Sequence, residues 1–370
     1  MMSDGERGTS AAQAVTGAPE GFLAELWDAV SLRTVGLIIG VLALQVGFIL
    51  SYVGAFHAPT PHRITIAVAA PAQISAQLVS KLNAIPSAPV HASTVADEAA
   101  ARRLIRADSV SSALIVNPAG TTDTLLVASA GGAAQATAIQ QVIATAEARQ
   151  HRSVTVTDVV PLQPGDGHGL TGFYLAIGWI VGGYLVAALL GVAKGARPAT
   201  TRRVIFRLIA VVPYAIVSGL AGAIIVGPVL GALTGHLIAL WWLGALLVFA
   251  AATVTMAFQV LFGVIGIGIT VLVFVILGNP SAGGPYQAPL LPPFWRAISS
   301  ALPNGAGTDA VRRIVYFGAN GISGDLIVIG IYALAGVIVA LAASIGFERH
   351  ATALKQRSAA LSAPAPETAQ

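Results

Sequence analysis

The chain contains no cysteine, and residues 208–295 contain no Asp, Glu, Lys or Arg. Without cysteine it has no disulfide, no thiolate nucleophile and no zinc–thiolate site. A soluble domain covers its surface with polar and charged groups, so an uncharged stretch of this length is not expected in one. A lipid bilayer explains the stretch, because a charge at mid-membrane costs ~2.5 kcal/mol or more. The sequence therefore predicts a protein with several transmembrane helices.

The motifs of the common nucleotide-dependent and hydrolytic enzymes are absent too. The chain has no Walker A loop, HExxH motif, GxSxG motif or Cys/His cluster. GVIGIG at 263–268 lies in an apolar stretch without a preceding soluble strand, so we reject a dinucleotide-binding interpretation. No charged residue lies in the interior of a predicted span, where it could line a proton or ion path. We expect neither enzymatic activity nor a bound cofactor.

Six transmembrane helices are predicted. Uncharged stretches at 34–62, 167–193 and 326–347 flank the central run, and each can cross ~30 Å of hydrocarbon. Turns expected near His236 and at 258–262 divide the central run into three spans, and the Gly- and Pro-rich segment from Gly278-Asn279-Pro280 predicts a loop. The predicted helices cover residues 35–56, 170–193, 205–228, 237–257, 260–278 and 325–346.

Basic residues near the span ends predict the orientation. The loop 194–207 has five basic residues and no acidic one, and Arg349, Lys355 and Arg357 follow the last span. Such residues favour the cytoplasmic side of a plasma membrane, which places the N-terminus (1–33) and the tail (348–370) inside. The first span (34–56) is longer than a signal-peptide core and follows 33 residues, so we interpret it as an uncleaved anchor.

The N-terminal segment also contains a possible membrane-surface helix. Phe22, Leu26, Trp27 and Val30 share one helical face, while Glu20, Glu25 and Asp28 lie elsewhere. This pattern predicts an amphipathic helix on the inner membrane surface.

Residues 57–169 predict a small extracytoplasmic α/β (or α+β) domain between the first two spans. Strand-like alternation and helical spacing succeed each other along this segment. The expected strands are 63–70, 89–96, 112–117, 123–129 and 153–160, and the expected helices are 72–85, 97–107 and 133–151. Asp158, Asp166 and His168 lie close together in sequence and could bind a metal ion, although a solvated juxtamembrane turn is the favoured interpretation.

The segment 279–324 predicts an outer loop with two short helices, at 294–302 and 308–317. Thr308 is a suitable N-cap for the second helix, and Trp295, Tyr316 and Phe317 favour the membrane interface. We therefore expect two re-entrant helices that dip into the outer leaflet, before a final span at 325–347.

Small residues recur at four-residue spacing within the predicted spans. The sets are Gly36/Gly40, Gly178/Gly182 and Gly227/Gly231/Gly235. Such spacing lets helices approach closely in lipid. We favour packing within one chain, and a dimer seam is the alternative.

Three stretches carry a resemblance to a known family. They are VTDVVPLQPGDGHGLTGFYLAIGWIVGGYL at 156–185, LGNPSAGGPYQAPLLPPFWRAISSALPNG at 277–305 and RRIVYFG at 312–318. With the order of spans, they make the chain similar to type-2 ABC-transporter permeases, and more narrowly to the actinobacterial phage-infection-protein (YhgE/Pip-like) branch. The resemblance covers about residues 35–346 and carries over no catalytic residue.

The resemblance implies a six-helix permease that works as a homodimer or pseudo-dimer with a separate ATPase. The inner loop would contact the ATPase through its basic residues, and the two outer helices would form part of an exit gate. The implied coupling residues are Lys194, Arg197, Arg202, Arg203 and Arg207. The implied gate residues are Asn279, Pro280, Pro293, Phe294, Trp295, Arg296 and Pro303.

Two functional hypotheses follow. The first is an exporter subunit for an amphipathic or lipid-like substrate, and the alternative is a non-transporting envelope receptor or scaffold that acts through its outer domain. For the loop 194–207, anchoring to anionic lipid is as good an interpretation as docking on an ATPase. Because the basic clusters lie next to the spans, we expect membrane lipids rather than nucleic acid as their partners.

Overall fold

The computed structural model describes residues 32–195 and 200–361. The predicted amphipathic helix at 22–30 and Arg197 lie outside the described residues. The chain divides into two compact units, Met1–Val46 and Gly47–Gln370, and all packing discussed below lies within the second.

The described chain is mostly helical, with one small mixed sheet. The helices are α1 (Leu32–Phe56), α2 (Ala72–Asn83), α3 (Glu98–Arg106), α4 (Ala133–Ala148), α5 (Thr171–Lys194), α6 (Thr201–Ile224), α7 (Leu237–Phe262), α8 (Ile265–Val271, continuing as described below), α9 (Pro293–Ser299), α10 (Pro303–Tyr316) and α11 (Ile322–Leu361). The strands are β1 (Ile64–Ala69), β2 (Val90–Val95), β3 (Ser112–Ile115), β4 (Thr122–Val127) and β5 (Ser153–Asp158).

Five helices in the described ranges are long and apolar enough to cross a membrane, as expected of a multi-pass membrane protein. They are Thr34–Phe56, Thr171–Ala193, Thr201–Val229, Leu237–Phe262 and Ile322–Ser358. The predicted sixth span corresponds to a shorter apolar helix, Ile265–Ser281. A sixth crossing therefore stays a prediction.

The strands form one sheet in the order β2-β1-β3-β4-β5. All neighbouring strands are parallel except β3 and β4, which form the antiparallel pair expected from the turn at 118–122. Side chains alternate between the two faces, as a strand period of two requires. Ile64, Ile66 and Val68 pack under α2 and α4, while Ala67 packs towards α3. The predicted alternation of strands and helices in this segment is confirmed, and the structure makes Asp97 the N-cap of α3.

Helix α7 is the centre of the helical bundle. It packs against α5, α6, α10 and α11, and most of its residues are buried. The run Ala250-Ala251-Ala252 supplies small buried side chains near its middle. Gly263, with a φ of 64°, ends the helix in a conformation that glycine tolerates best. A helix that is apolar on all sides suits this central position.

Each of the four surrounding helices places a glycine against α7, and α5 places a second one, Gly191, against the side chain of Gln259. The first four glycines are Gly183 of α5, Gly219 of α6, Gly307 of α10 and Gly336 of α11. A Cβ added at any of them would lie under 3.0 Å from an atom of α7, which is closer than side chains tolerate. Gly183, Gly219, Gly307 and Gly336 are close-approach positions of the bundle, and we call these four residues the α7-facing glycines.

The predicted four-residue glycine pattern largely missed these positions. Gly182 lies near the Tyr214 hydroxyl group, but nothing lies within 4 Å of a Cβ built at Gly178. Gly231 and Gly235 have positive φ angles in the loop after α6, so they are turn residues rather than part of a helical stripe. Their conformation explains the spacing without helix–helix contact.

Several helix boundaries differ from the predictions: the turn expected at 258–262 lies inside α7, and α11 continues to Leu361 instead of ending at 346. Two further differences have a clear physical reason. The helical path after Val271 continues as a π-helical segment, Leu272–Gly278, and then as Asn279–Ser281, so the predicted loop start at Gly278 is wrong. Proline is tolerated at this point because it lies in the first turn of the terminal helical piece. Thr308 lies inside α10 and its hydroxyl donates to Asn304 O (2.9 Å), so it does not cap that helix.

Candidate functional site

The residues that connect α8 with α10 form a buried polar cluster. Asn304, in the first turn of α10, is completely buried, and its Nδ2 donates to Phe274 O and to Asn279 Oδ1, both at 2.9 Å. Phe274 O belongs to the π-helical segment Leu272–Gly278. Such π segments often occur at functional positions of helices. We call this cluster the Asn304 junction.

Other side chains donate hydrogen bonds to further carbonyl groups of the same segment. Ser51 Oγ of α1 donates to Ile276 O, and Ser281 Oγ donates to Leu277 O (2.8 Å) and Gly278 O (3.1 Å). In a membrane interior, backbone polar groups need partners from the protein. The π-helical segment that follows α8 is therefore stabilised by side chains from three different parts of the chain.

The Asn304 junction is closely packed and leaves one polar atom without a partner. Gly278 lies directly against the Asn304 amide group, so a side chain at this position would collide with it. Asn304 Oδ1 is buried and accepts no hydrogen bond. The unsatisfied amide oxygen raises the energy of this packed arrangement by ~1–3 kcal/mol.

The predicted gate residues fall into two groups. Asn279, Pro280 and Pro303 lie at the Asn304 junction or next to it, and both prolines are buried. The remaining four, Pro293, Phe294, Trp295 and Arg296, lie on α9. Phe294 is largely exposed and its ring contacts Trp295 edge-on, with the centroids 4.9 Å apart.

Segment 279–324 contains the two expected short helices, but α10 is a core element of the bundle. It packs against α5, α7 and α11, and ten of its residues are buried. Gly305 also lets its first turn approach Ser299 O at the end of α9. The segment therefore contains the two predicted short helices, but the second of them packs inside the bundle.

The same segment contacts both faces of the α/β sheet. Leu290 joins the apolar core under α2 and α4, and Phe317 joins the core next to α3. Backbone N–H groups of Thr60 and His62 donate to Leu290 O (3.2 Å) and Pro289 O (2.9 Å). The α/β domain is thus enclosed from two sides by the chain that connects α8 with α11.

Polar contacts fix the end of α10 to the domain. Arg313 bonds Asp108 before β3 (Nε–Oδ2, 3.0 Å) and Asp325 at the start of α11 (2.5 Å). The Tyr316 hydroxyl donates to Asp166 Oδ2 (2.6 Å) and accepts from the Gln163 N–H (3.2 Å). Burial, followed by the bond to Asp166, raises the pKa of the Tyr316 phenol above its usual range. Tyr316 therefore remains a neutral hydrogen-bond donor to Asp166.

The three residues considered for metal binding do not form a site. Asp166 is buried, and its Oδ1 accepts from the Thr171 N–H (2.9 Å) at the start of α5. Asp158 Oδ1 accepts from the N–H groups of Ser129 and Val160, both at 3.2 Å. Within the described ranges, no group of three His, Cys, Asp or Glu could hold a metal ion. Asp158 and Asp166 instead satisfy backbone donors.

The predicted coupling residues do not form a single loop. Lys194 is the last residue of α5, whereas Arg202, Arg203 and Arg207 lie in the first two turns of α6. Arg202 and Arg203 are exposed, but Arg207 is buried and donates to Gly195 O (2.8 Å). Arg207 thus holds the connection between the helices and is not free to dock on another protein.

Glu348 has a position that sequence reasoning missed. Its Oε2 accepts from Thr201 N (3.0 Å) and Thr201 Oγ1 (2.7 Å). A carboxylate at this place compensates the positive N-terminal end of α6. Because 147 positions separate the two residues, the sequence gives no local signal for the contact.

Comparisons of the chain with protein families, curated proteins and solved structures gave no match.

Proposed function

We propose that this protein is the permease subunit of an ABC-type exporter in the plasma membrane. It would move an amphipathic or lipid-like molecule, with energy from a separate ATPase, as a homodimer or pseudo-dimer surrounded by membrane lipids. The observation that carries the proposal is the position of α10, which contacts the interrupted helix α8 at one end and the α/β domain at the other. The apolar spans without ion-binding charges fit a lipid-like substrate.

A hinge at the Asn304 junction would let the bundle change conformation. In the π segment of α8, side chains of Ser51, Ser281 and Asn304 bond the backbone carbonyl groups. Exchanging such bonds changes the helix path without leaving many backbone groups unsatisfied. Movement of α10 would reach α8 through Asn304 and the α/β domain through Arg313. In this proposal, α10 transmits the movement that opens an exit path.

The proposed orientation places the α/β domain outside the cell, and the start of α6 and the end of α11 inside. Arg202 and Arg203 would then be available to an acidic groove of the ATPase. A cysteine at Ser80 should react with a membrane-impermeant maleimide in intact cells, whereas one at Ala351 should react only after lysis. Both positions are exposed, so the side of the membrane determines the difference. Labelling at Ala351 in intact cells would overturn this orientation.

Crosslinking in native membranes, followed by mass spectrometry of the captured chains, tests the exporter proposal. We expect a nucleotide-binding protein among them. Asn304→Ala should keep this partner but abolish export, because the ATPase contact lies away from the Asn304 junction. Asn320→Ala is the matched control, since Asn320 is exposed and bonds only the nearby Phe317 O (2.7 Å). If native membranes yield no nucleotide-binding chain, the exporter proposal is wrong.

The alternative is a receptor or scaffold, and one observation favours it: the α/β domain contains a cleft lined only by its own residues. Deleting residues 60–165 would not discriminate, because it would expose Leu290 and Phe317. Point variants discriminate better. A receptor should lose its function with substitutions in the cleft and keep it with Asn304→Ala, and an exporter should respond strongly to Asn304→Ala.

A further inference from the structure

The cleft lies between helices α2 and α4 of the α/β domain. It has a volume of 460 Å³, which is within the usual range for small-molecule sites. Leu78 and Leu82 of α2, and Ile85 just after it, face Val142 and Ala146 of α4 across it. Its interior is therefore suited to an alkyl or acyl chain.

Two basic side chains are the charged groups of this cleft. Lys81 of α2 and Arg149, which directly follows α4, line it, and no acidic residue does. Both are exposed, and within the described residues neither makes an ion pair. An anionic head group would complement them.

A second cavity of 230 Å³ adjoins the first and shares Leu78, Lys81 and Gln150 with it. It contains Asp123, Glu147 and Arg152. Asp123 and Arg152 satisfy each other through two bonds, Nε to Oδ2 at 2.8 Å and Nη2 to Oδ1 at 2.5 Å. Arg152 also donates to Gly120 O (3.0 Å) and Asn117 O (2.9 Å). Asp123 also forms a hydrogen bond with the Glu147 side chain.

Glu147 is the additional group in this cavity. Its side chain is 2% exposed, and its Oε2 has no hydrogen-bond partner. Arg152 Nε lies 3.6 Å from that oxygen and already donates to Asp123. A buried acceptor without a partner is unfavourable, whereas a bound ligand with a hydroxyl or amide donor would satisfy it.

We propose that these two cavities form one binding site for a single-chain amphipathic molecule whose anionic head group also carries a hydrogen-bond donor. The chain lies between α2 and α4, Lys81 and Arg149 bind the anion, and Glu147 Oε2 accepts from the donor. The site belongs to the α/β domain alone, so it does not depend on the proposed exporter role.

Photolabelling of the full-length protein in nanodiscs tests the site. The probe is lauroyl lysophosphatidic acid with a diazirine in its chain, and mass spectrometry identifies the labelled peptides. We expect labelled peptides from α2 and α4, and competition by unlabelled lysophosphatidic acid. Lauroyl lysophosphatidylcholine lacks the net negative charge and should compete at least tenfold less well. Equal competition by both lipids, or labelling confined to the bundle helices, would overturn the proposal.

Two sets of variants assign the head-group contacts. Lys81→Gln with Arg149→Gln should reduce labelling about tenfold, because two charge-assisted contacts are lost. Arg103→Gln with Arg106→Gln, on exposed positions of α3, makes the same charge change on the other face of the sheet and should leave labelling within about twofold of the native protein. A similar loss in both double variants would mean non-specific attraction and would contradict the site.

Competitors with and without a hydroxyl donor separate the contribution of Glu147 to binding from that of the two basic residues. Dodecyl phosphate has the anion but no hydroxyl donor, so it should compete less well than lysophosphatidic acid. Glu147→Leu should remove this difference, and Glu147→Gln, which retains an acceptor oxygen, should preserve it. A difference that persists in Glu147→Leu would exclude Glu147 from ligand recognition.

Discussion

The α/β domain and the helical bundle are held together by different physical features. In the domain, alternating strand residues form two apolar cores, one on each face of the sheet. In the bundle, large apolar side chains such as Leu189 of α5 and Ile209 of α6 are exposed on the outside, and glycines let the helix backbones approach closely around a core that includes Leu247 and Phe274. Since lipid is as apolar as leucine, burial of leucine alone does not hold transmembrane helices together. Close packing of the helices at the glycines therefore contributes more to the bundle than to the domain.

Substitution of the α7-facing glycines is expected to cause the largest loss of stability. Gly183→Leu places a side chain against Val248 O and Ala251 of α7, and neither can move without displacing the helix. Overpacking of this kind costs ~3 kcal/mol or more, so we expect little folded protein after purification. Gly178→Leu is the matched control on the same helix, since nothing lies within 4 Å of a Cβ there. Size-exclusion chromatography after heating compares the two.

Equal heat stability of the two leucine variants would contradict the role given to the α7-facing glycines. A core truncation in the domain sharpens the comparison. Leu125→Ala in β4 should cost ~2–5 kcal/mol through lost burial and a cavity. The bundle is thus expected to be sensitive to added volume and the domain to removed volume.

The next largest loss of stability is expected at the contact between the helical bundle and the α/β domain. Arg313→Gln leaves Asp108 and Asp325 without their shared cation. We expect a loss of ~2–3 kcal/mol, because partly buried carboxylates lose charge-assisted bonds. Hydrogen–deuterium exchange should increase at the start of α11 and in the chain before β3. Arg296→Gln on α9 is the control, since within the described residues Arg296 makes no ion pair. Unchanged exchange at both places would disprove the fastening role of Arg313.

The sequence predicted the domain well because its signals are local. The alternation of RITIAVAA and the helical spacing at 97–107 depend on neighbouring residues, and both correspond to observed elements. Only the sheet order and the helix positions on each face required the structure.

The bundle was harder to predict because its decisive contacts join distant residues. Helix α10 was predicted as a short re-entrant helix at 308–317, whereas it begins at Pro303 and ten of its residues are buried. Its polar groups are instead satisfied internally, for example by Asn304 with Phe274 O and by Thr308 with Asn304 O. Glycine spacing alone could not distinguish Gly178 from Gly183, since both lie on α5 and only one faces α7. The sequence likewise could not show which predicted gate residues lie together. Asn279, Pro280 and Pro303 lie at the Asn304 junction or next to it, and the other four lie on α9.

A pH-dependent effect is expected in the domain. Burial, followed by the hydrogen bond and charge of Asp123, raises the pKa of Glu147 from 4.5 to about 7, against the opposing charge of Arg152. Between these values the folded chain holds a proton that the unfolded chain releases, so the free energy of unfolding falls as the pH rises from about 4.5 to 7. Glu147→Gln cannot titrate, and it should melt at a higher temperature than the native protein at pH 8.

The two proteins should melt at similar temperatures at pH 5, where Glu147 is protonated in the folded state. Glu98→Gln is a suitable control, because Glu98 is exposed and pairs with Arg102 one helical turn away. The difference in melting temperature between Glu98→Gln and the native protein should be the same at pH 5 and pH 8. If the native protein and Glu147→Gln differ in melting temperature by the same amount at pH 5 and at pH 8, Glu147 is ionised in the folded domain at both pH values.

The smallest effect on stability is expected at the start of α6. Arg202→Gln with Arg203→Gln should change the free energy of unfolding by ~0.5 kcal/mol or less, because both side chains are exposed. Arg207→Gln should cost more, since buried Arg207 donates to Gly195 O at 2.8 Å. If the exposed pair docks on an ATPase, the double variant should lose that partner in co-purification while remaining folded. Lys194 and Arg207 would still favour the proposed orientation. Unchanged co-purification would leave contact with anionic lipid as the role of Arg202 and Arg203, and equal melting temperatures of the double variant and Arg207→Gln would contradict the burial that separates them.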